Sequence, residues 1–535
     1  MAVLLLVTLL VALPLTLALS ALIAWRYRAA VRQLMRLAPS PSDSDSPVAP
    51  MPEPAAMAAM PPELPVRLPG SLRQRQRRLE LALALGSVLI GTTGAWLYLL
   101  VHQQEFGGIT PMRLLLLGLV WCTPGLVLQA VILRWSLQRQ LPVLLGWGTA
   151  LVLLLALNSG GFRADSLAFV LMHLLPAVLV LGLLFGVPGL RAIAPYLFPV
   201  VAPLCLAVIA AFNALAALVE QGSASIRFVV SLTGAVGLIL LVALVALLWA
   251  SLPAHRIAQW LGRLYRRQAF SDLSYLFGAS WLLVLTLELL PGINAASADP
   301  APLLPLLAWL WIPVLFCWLP RLLPPPPPGA RPPRLLVLRV FRRGGPMAWL
   351  FDHVVQRWRL YGPVLLITAA DLASRTLEPH ELVAFVEGRL QERYIGSAEQ
   401  LHSQLAQAQG QPDHDGRWRV HEFCCYANSW KPTLDALLSR SDAVLMDLRG
   451  FSSRNAGCRH ELQRIGRSRH LGSALLLVDR HTDWVAANQA LGDQPAAAIT
   501  WHPAEQRRIA TSAVVLSSLL QPFPSPSNQS PFSQP

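Results

Sequence analysis

Leu438–Ile465, LSRSDAVLMDLRGFSSRNAGCRHELQRI, is the stretch that decides the fold of the C-terminal third of this 535-residue chain. Its centre, Ala443–Leu448 (AVLMDL), is an apolar run interrupted only by Asp447, and it gives way to a turn containing Gly450, Ser452 and Ser453. From Gly457 to Gly466 the apolar positions take helical spacing. A strand without a polar face needs cover on both sides, and that cover is what helices supply in a parallel sheet.

Working outward, the same unit recurs on both sides. Leu335–Phe341 (LLVLRVF), Pro363–Thr368 (PVLLIT), Trp418–Cys424 (WRVHEFC), Ala474–Val478 (ALLLV) and Ala498–Trp501 read as further strands. Helical patterns fall between and after them at Met347–Tyr361, Pro379–Tyr394, Thr433–Arg440 and Thr511–Leu520. This alternation over residues 334–520 predicts an α/β domain with a mostly parallel, Rossmann-like sheet. Ligands of such sheets sit beyond the carboxyl ends of the strands. The segments that reach that rim are Arg342-Arg343-Gly344-Gly345, Ala370-Asp371, Tyr426–Trp430 and Asp447–Ser453.

Everything upstream is of a different kind. The chain is 54% hydrophobic and only 13% charged, with a mean hydropathy of +0.49, whereas soluble domains carry about 25% charged residues. Nine apolar runs approach the roughly 20 residues that a bilayer core requires. They are Ala2–Ala24, Leu81–Val101, Leu114–Leu133, Val143–Leu157, Leu167–Val187, Tyr196–Val219, Phe228–Ala250, Leu273–Leu290 and Pro302–Leu319. An α-helical polytopic bundle of about nine spans follows, organised as residues 1–36 (first anchor and basic flank) and 71–320 (the rest of the bundle).

Arginine sets the orientation. Arg26, Arg28, Arg32 and Arg36, then Arg73 to Arg78, Arg134 and Arg139, Arg191, and Arg256 to Arg267 occupy alternate connections, and the connections between them are short and Arg-poor. Basic connections stay in the cytoplasm, so the reading places the N-terminus outside and the α/β domain inside, in a bacterial-type inner membrane. The net charge of +14 is thereby explained by topology and calls for no nucleic acid. Residues 37–70 and 521–535, rich in Pro and Ser, read as disordered, and 321–333 as a stiff polyproline spacer. Within the spans the ionisable or strongly polar residues are few: His173, Asn213 and Glu288. Such residues mark transport pathways when they line one, which keeps a transporter or channel as an alternative.

The six cysteines show no disulfide framework and no CxxC pair. His421, Cys424, Cys425, Cys458 and His460 have no metal-ligand spacing, since adjacent Cys424 and Cys425 point to opposite faces of a strand.

The run Leu438–Ile465 resembles the segment of Toll/interleukin receptor (TIR) domains in which a buried strand leads through a Ser-containing loop into Trp-Cys-x-x-Glu-Leu, here Gly457-Cys458-Arg459-His460-Glu461-Leu462. The same Glu marks nucleoside deoxyribosyltransferase relatives. The resemblance implies a carboxylate acting at the ribose of a nucleotide, which makes Glu461 the candidate catalytic residue and NAD or another nucleotide the ligand. Two departures accompany it: Gly457 stands where the family often has Trp, and a strand-helix unit from Pro363 to about Gln409 reads as an insertion.

Cleavage of an N-glycosidic bond passes through an oxocarbenium-like ribose, which a carboxylate stabilises. Backbone N–H groups of a glycine turn would hold phosphate oxygens, and for this Arg342, Arg343, Gly344, Gly345, Ser452, Ser453, Gly457 and Cys458 are the candidates. Asp371 and Asp447 end strands at the rim, and Trp430 could stack on a base; a helix cap and a helix-starting staple are the alternatives. The competing role for Glu461 is a local ion pair with Arg464 or Arg467. The expected partners are the bilayer, a nucleotide, and a second copy of the chain through the cytosolic domain.

Overall fold

The computed structural model describes residues 20–35, 71–133, 137–159, 164–186, 214–293, 301–325, 329–339, 349–367, 379–408, 410–495, 497–504 and 509–521, with isolated positions between them. Most of Ala2–Ala24 and Tyr196–Val219, the linker 37–65, Pro326–Pro328, the tail from 522, and the candidates Arg342, Arg343, Gly344, Gly345 and Asp371 lie outside the described residues.

Seven helical stretches among the described residues are long and apolar enough to cross a bilayer, and they coincide with the other seven predicted runs. They are α1 (Leu72–Val101), α2 (Pro111–Ile132), α3 (Leu137–Ser159), α4 (Ala164–Gly186), α5 (Ala224–Arg266), α6 (Asp272–Ile293) and a 3-10 stretch, Ala301–Leu310, that runs into α7 (Trp311–Leu322). Ser71 and Thr110 cap α1 and α2 by accepting the N–H of Gln74 and Arg113. Small residues bring the central helices together: a Cβ on Gly91 would stand 2.5 Å from the Cys122 sulfur, and one on Gly125 2.5 Å from the Ser87 side chain. The outer faces stay apolar, with Leu145, Leu232, Val236 and Trp249 exposed, as a lipid-facing surface requires.

Helix α5 does not stop where its apolar run ends at Ala250. It continues for 16 residues to Arg266, about 24 Å at the usual rise, and this polar extension packs on the C-terminal domain.

That domain is a seven-stranded sheet in which every pairing is parallel. Its strands are β1 (Leu335–Arg339), β2 (Val364–Ile367), β3 (Tyr394–Ile395), β4 (Val420–Cys425), β5 (Ala443–Asp447), β6 (Ser473–Val478) and β7 (Ile499–Pro503), in the order β3-β4-β2-β1-β5-β6-β7. Alternate side chains feed two cores. Leu336, Leu338, Val444 and Met446 face α10 (Ala398–Gln407), α11 (Trp430–Leu438), α12 (Ala456–Arg467) and α13 (Trp484–Leu491). Leu335, Val337, Ala443 and Leu445 face a π-helical turn, Phe351–Val355, continued by Gln356–Trp358 (together α8), and α14 (Ile509–Leu520).

Two local expectations change. The helix predicted over Pro379–Tyr394 is only α9 (Pro379–Val386): Gly388 adopts φ +74°, and Arg389 N–H returns to the Ala384 carbonyl, a helix stop that favours glycine. The chain after it forms the extra strand β3. In addition, the unit from Pro363 to about Gln409 is part of the sheet itself: its strand β2 pairs directly with β1, and β4 and β3 lie beyond it toward the edge.

The domain also sits directly on the bundle. Arg359 and Arg417 both bind Asp272 at the start of α6. Arg419 bonds the carbonyl of Tyr265 in α5 and lies over its ring. Arg75 reaches the carbonyls of Pro324 and Gly416. The helical flank of the first run joins them, with Tyr27 edge-on to Phe385 and the Val31 carbonyl accepting from Tyr394. Whatever the Pro-rich segment contributes, it does not hold the domain away from the bundle.

Candidate functional site

The strand order reverses at β1, with β2 on one side and β5 on the other, so the connections that follow β1 and β5 diverge. That is where open parallel sheets bind ligands. The connection after β5 is held by its neighbour: the Leu448 N–H bonds the Leu477 carbonyl, and the Thr482 hydroxyl bonds the Leu448 carbonyl. Gly450, at φ +70°, donates its N–H to Asp479 at 2.9 Å, and that carboxylate also takes the Thr482 hydroxyl and the His481 N–H. Burial alone would raise Asp479, but the Gly450 N–H and the other donors outweigh it and hold the group below the ordinary carboxylate range.

Asp447 faces this loop and is occupied: its two oxygens hold Arg449 at 2.8 and 2.7 Å. Its partner among the described residues is thus Arg449 and not the start of a helix. Ser452 donates its N–H and hydroxyl to Asn455, while Ser453 is exposed. Gly457, the second residue of α12, has open space where a Cβ would point, so the start of the helix is accessible from that side.

Glu461 is one turn farther along. It is only 5% exposed and shares the inward stripe of α12 with Cys458, Leu462 and Ile465, the i, i+3, i+4, i+7 pattern of a core-facing surface. Cys458 lies in the sheet core, so its thiol is not presented at the rim. Arg464, named above as a partner for Glu461, pairs with Asp435 on α11. Trp430 is half-buried at the start of α11, edge-on to His460 at 5.4 Å, with the Lys431 ammonium 5.8 Å from its ring centroid. Desolvation, aided by Lys431, keeps His460 below the usual histidine range. The structure therefore brings Trp430, His460, Glu461 and Gly457 to neighbouring parts of α11 and α12, pairs Asp447 with Arg449 and buries Cys458 in the sheet core.

Asp479 and Thr482 were missed by the sequence reading. The Asp-x-x-Thr spacing directly after the strand ALLLV was the available signal. A cavity of about 910 Å³ opens elsewhere, between the α5 extension and the β4 edge, where Arg263, Arg266, Arg393 and His421 line it and Glu461 does not. Burial, with Arg419 and Arg359 nearby, pushes His421 down to about 4. Cys424 and Cys425 enter different cores.

No protein-family model matches the chain, and no curated protein or solved structure matches it either.

Proposed function

We propose that the chain is a multi-pass protein of a bacterial-type inner membrane whose C-terminal domain is TIR-like, lies in the cytosol, and binds a nucleotide as a sensor or effector. The observation that carries this is topological. With the edge pair β3 and β4 set aside, the strand order reads 2-1-5-6-7, the flavodoxin-like succession, and Glu461 stands on the helix that leaves β5 across the switch point from β1. The open space at Gly457 supplies room at a helix amino end, where N–H groups suit a phosphate.

Burial favours binding over turnover. Glu461 is 5% exposed and sits among Cys458 and Leu462, which suits a fixed carboxylate that accepts a ribose hydroxyl. The cytosolic assignment is supported by arginine: the basic flank at Arg28 and Arg32 and the basic start of α1 lie at the bundle end that carries the domain, and basic ends stay inside.

The test uses the full chain in detergent. Calorimetry with oxidised nicotinamide adenine dinucleotide and with adenine nucleotides is expected to give saturable binding that Glu461→Gln weakens at least about tenfold, a loss of some 1.4 kcal/mol. Release of nicotinamide by the native chain, abolished in Glu461→Gln, would replace the sensor with an N-glycosidase. Absence of saturable binding overturns the nucleotide reading and leaves a protein-interaction platform.

A further inference from the structure

Two of the polar residues within the spans meet. His173 Nδ1 on α4 lies 2.6 Å from Glu288 Oε2 on α6, with the two side chains 6% and 5% exposed. The remaining ring nitrogen, Nε2, is buried and has no hydrogen-bond partner among the described residues. Intramembrane ionisable groups are costly and are rarely kept without use, and a buried ring nitrogen without a protein partner calls for water or a proton.

A cavity of about 290 Å³ lies between Arg113, Asn158 and Asp165 at helix ends and Phe169 and Val170 deeper in the bundle, and neither His173 nor Glu288 is in its lining. The Phe169 ring both lines this cavity and rests on His173, centroid to centroid at 4.5 Å. The polar mouth is at the bundle end away from the sheet domain, because the domain grips the opposite ends of α1 and α6.

Charge counting fixes what the pair can hold. With only the proton shared by Nδ1 and Oε2 it carries a net −1, which costs several kcal/mol in a dry interior; a second proton, on Nε2, makes it neutral. The other groups nearby are Tyr98 of α1, edge-on to His173 at 5.7 Å, and His102 stacked on Tyr98. Arg113 and Asp165 stand at the cavity mouth.

We propose that His173 and Glu288 form a proton-binding site inside the bundle, loaded and emptied through the cavity between Arg113 and Asp165. On loading, a proton from cavity water adds to Nε2 while the proton shared by Nδ1 and Oε2 stays in place; on release the same proton returns to water. No redox partner is required. Helix α6 carries Glu288 near one end and Asp272, which holds the sheet domain, at the other.

Infrared difference spectroscopy of the full chain in detergent, stepped between about pH 5 and 8 where histidine titrates, tests this. A carboxyl or imidazole band is expected to change with pH, to be lost in Glu288→Gln and to shift in His173→Gln. In the native chain that band shifts within minutes of transfer to D2O, and Phe169→Ala speeds the shift. A native chain whose bands ignore both pH and D2O overturns the proposal, whether or not the variants fold. Exchange no faster in Phe169→Ala overturns the cavity as the route.

Discussion

Asp272, the first residue of α6, holds Arg359 of the sheet domain at two points, Nη1 to Oδ2 at 2.7 Å and Nη2 to Oδ1 at 2.9 Å. Arg417 shares the same carboxylate at 2.7 Å and also binds Asp415, so a single acidic residue collects two guanidiniums that are 4% and 9% exposed. Removing one member of such a set strands the charges left behind.

Asp272→Asn is therefore expected to destabilise the docked domain by about 3 kcal/mol, toward the lower end of what breaking a buried pair costs because the carboxylate itself is partly exposed. Thermal unfolding in detergent, together with proteolysis between residues 324 and 334, would read it. A variant that melts with the native chain and resists protease equally would mean that these contacts do not hold the domain in solution.

The pH dependence of the domain has two opposed contributors. His421, pushed down to about 4 by burial with help from Arg419 and Arg359, supplies stability that is complete above the ordinary histidine value near 6.5 and is lost as the pH falls toward 4. Asp413 is raised to about 6, chiefly by burial and against its bond to Arg419, so protonation in the same interval favours the folded state. The difference between native and His421→Gln unfolding midpoints isolates the histidine: the variant is expected to lose less stability between pH 6.5 and 4. Identical losses would show that His421 charges freely in the folded domain.

What the sequence made legible follows from how local each constraint is. A bilayer demands a continuous apolar run, and a parallel strand demands an apolar run with turn residues behind it, so α1 to α7 and six of the strands could be read directly. Strand β3 could not, because its two residues follow a helix whose stop rests on Gly388 alone. The inward place of Glu461 was readable, since Cys458, Leu462 and Ile465 share its stripe. Pairings across the chain were not: His173 and Glu288 are 115 residues apart, and Arg359 and Asp272 are 87.

The rim beside β5 should depend on Asp479. Asp479→Ala removes the acceptor for the Gly450 N–H, the Thr482 hydroxyl and the His481 N–H; bonds to a charged group contribute about 1.5–3 kcal/mol each, and water recovers part of that at this partly exposed site. A net loss of about 2 kcal/mol is expected, with hydrogen exchange rising at Gly450 and Phe451. Exchange unchanged at those amides would show that the loop stands without the carboxylate.

Two glycines of α12 make opposite predictions, and together they separate the fold from the site. A Cβ on Gly466 would fall 2.2 Å from the Leu491 carbonyl oxygen, so Gly466→Ala must push α12 and α13 apart at a cost of about 1–3 kcal/mol. A Cβ on Gly457 meets nothing within 4 Å, and the position is helical, so Gly457→Ala should leave the unfolding midpoint unchanged or slightly raised. Gly457→Glu, which places a carboxylate at the amino end of α12, is expected to keep that stability, since a negative charge suits a helix start, while abolishing nucleotide binding by repelling the phosphate. If Gly457→Glu binds nucleotide as the native chain does, the ligand does not use the amino end of α12, and the site must be sought elsewhere along the sheet edge.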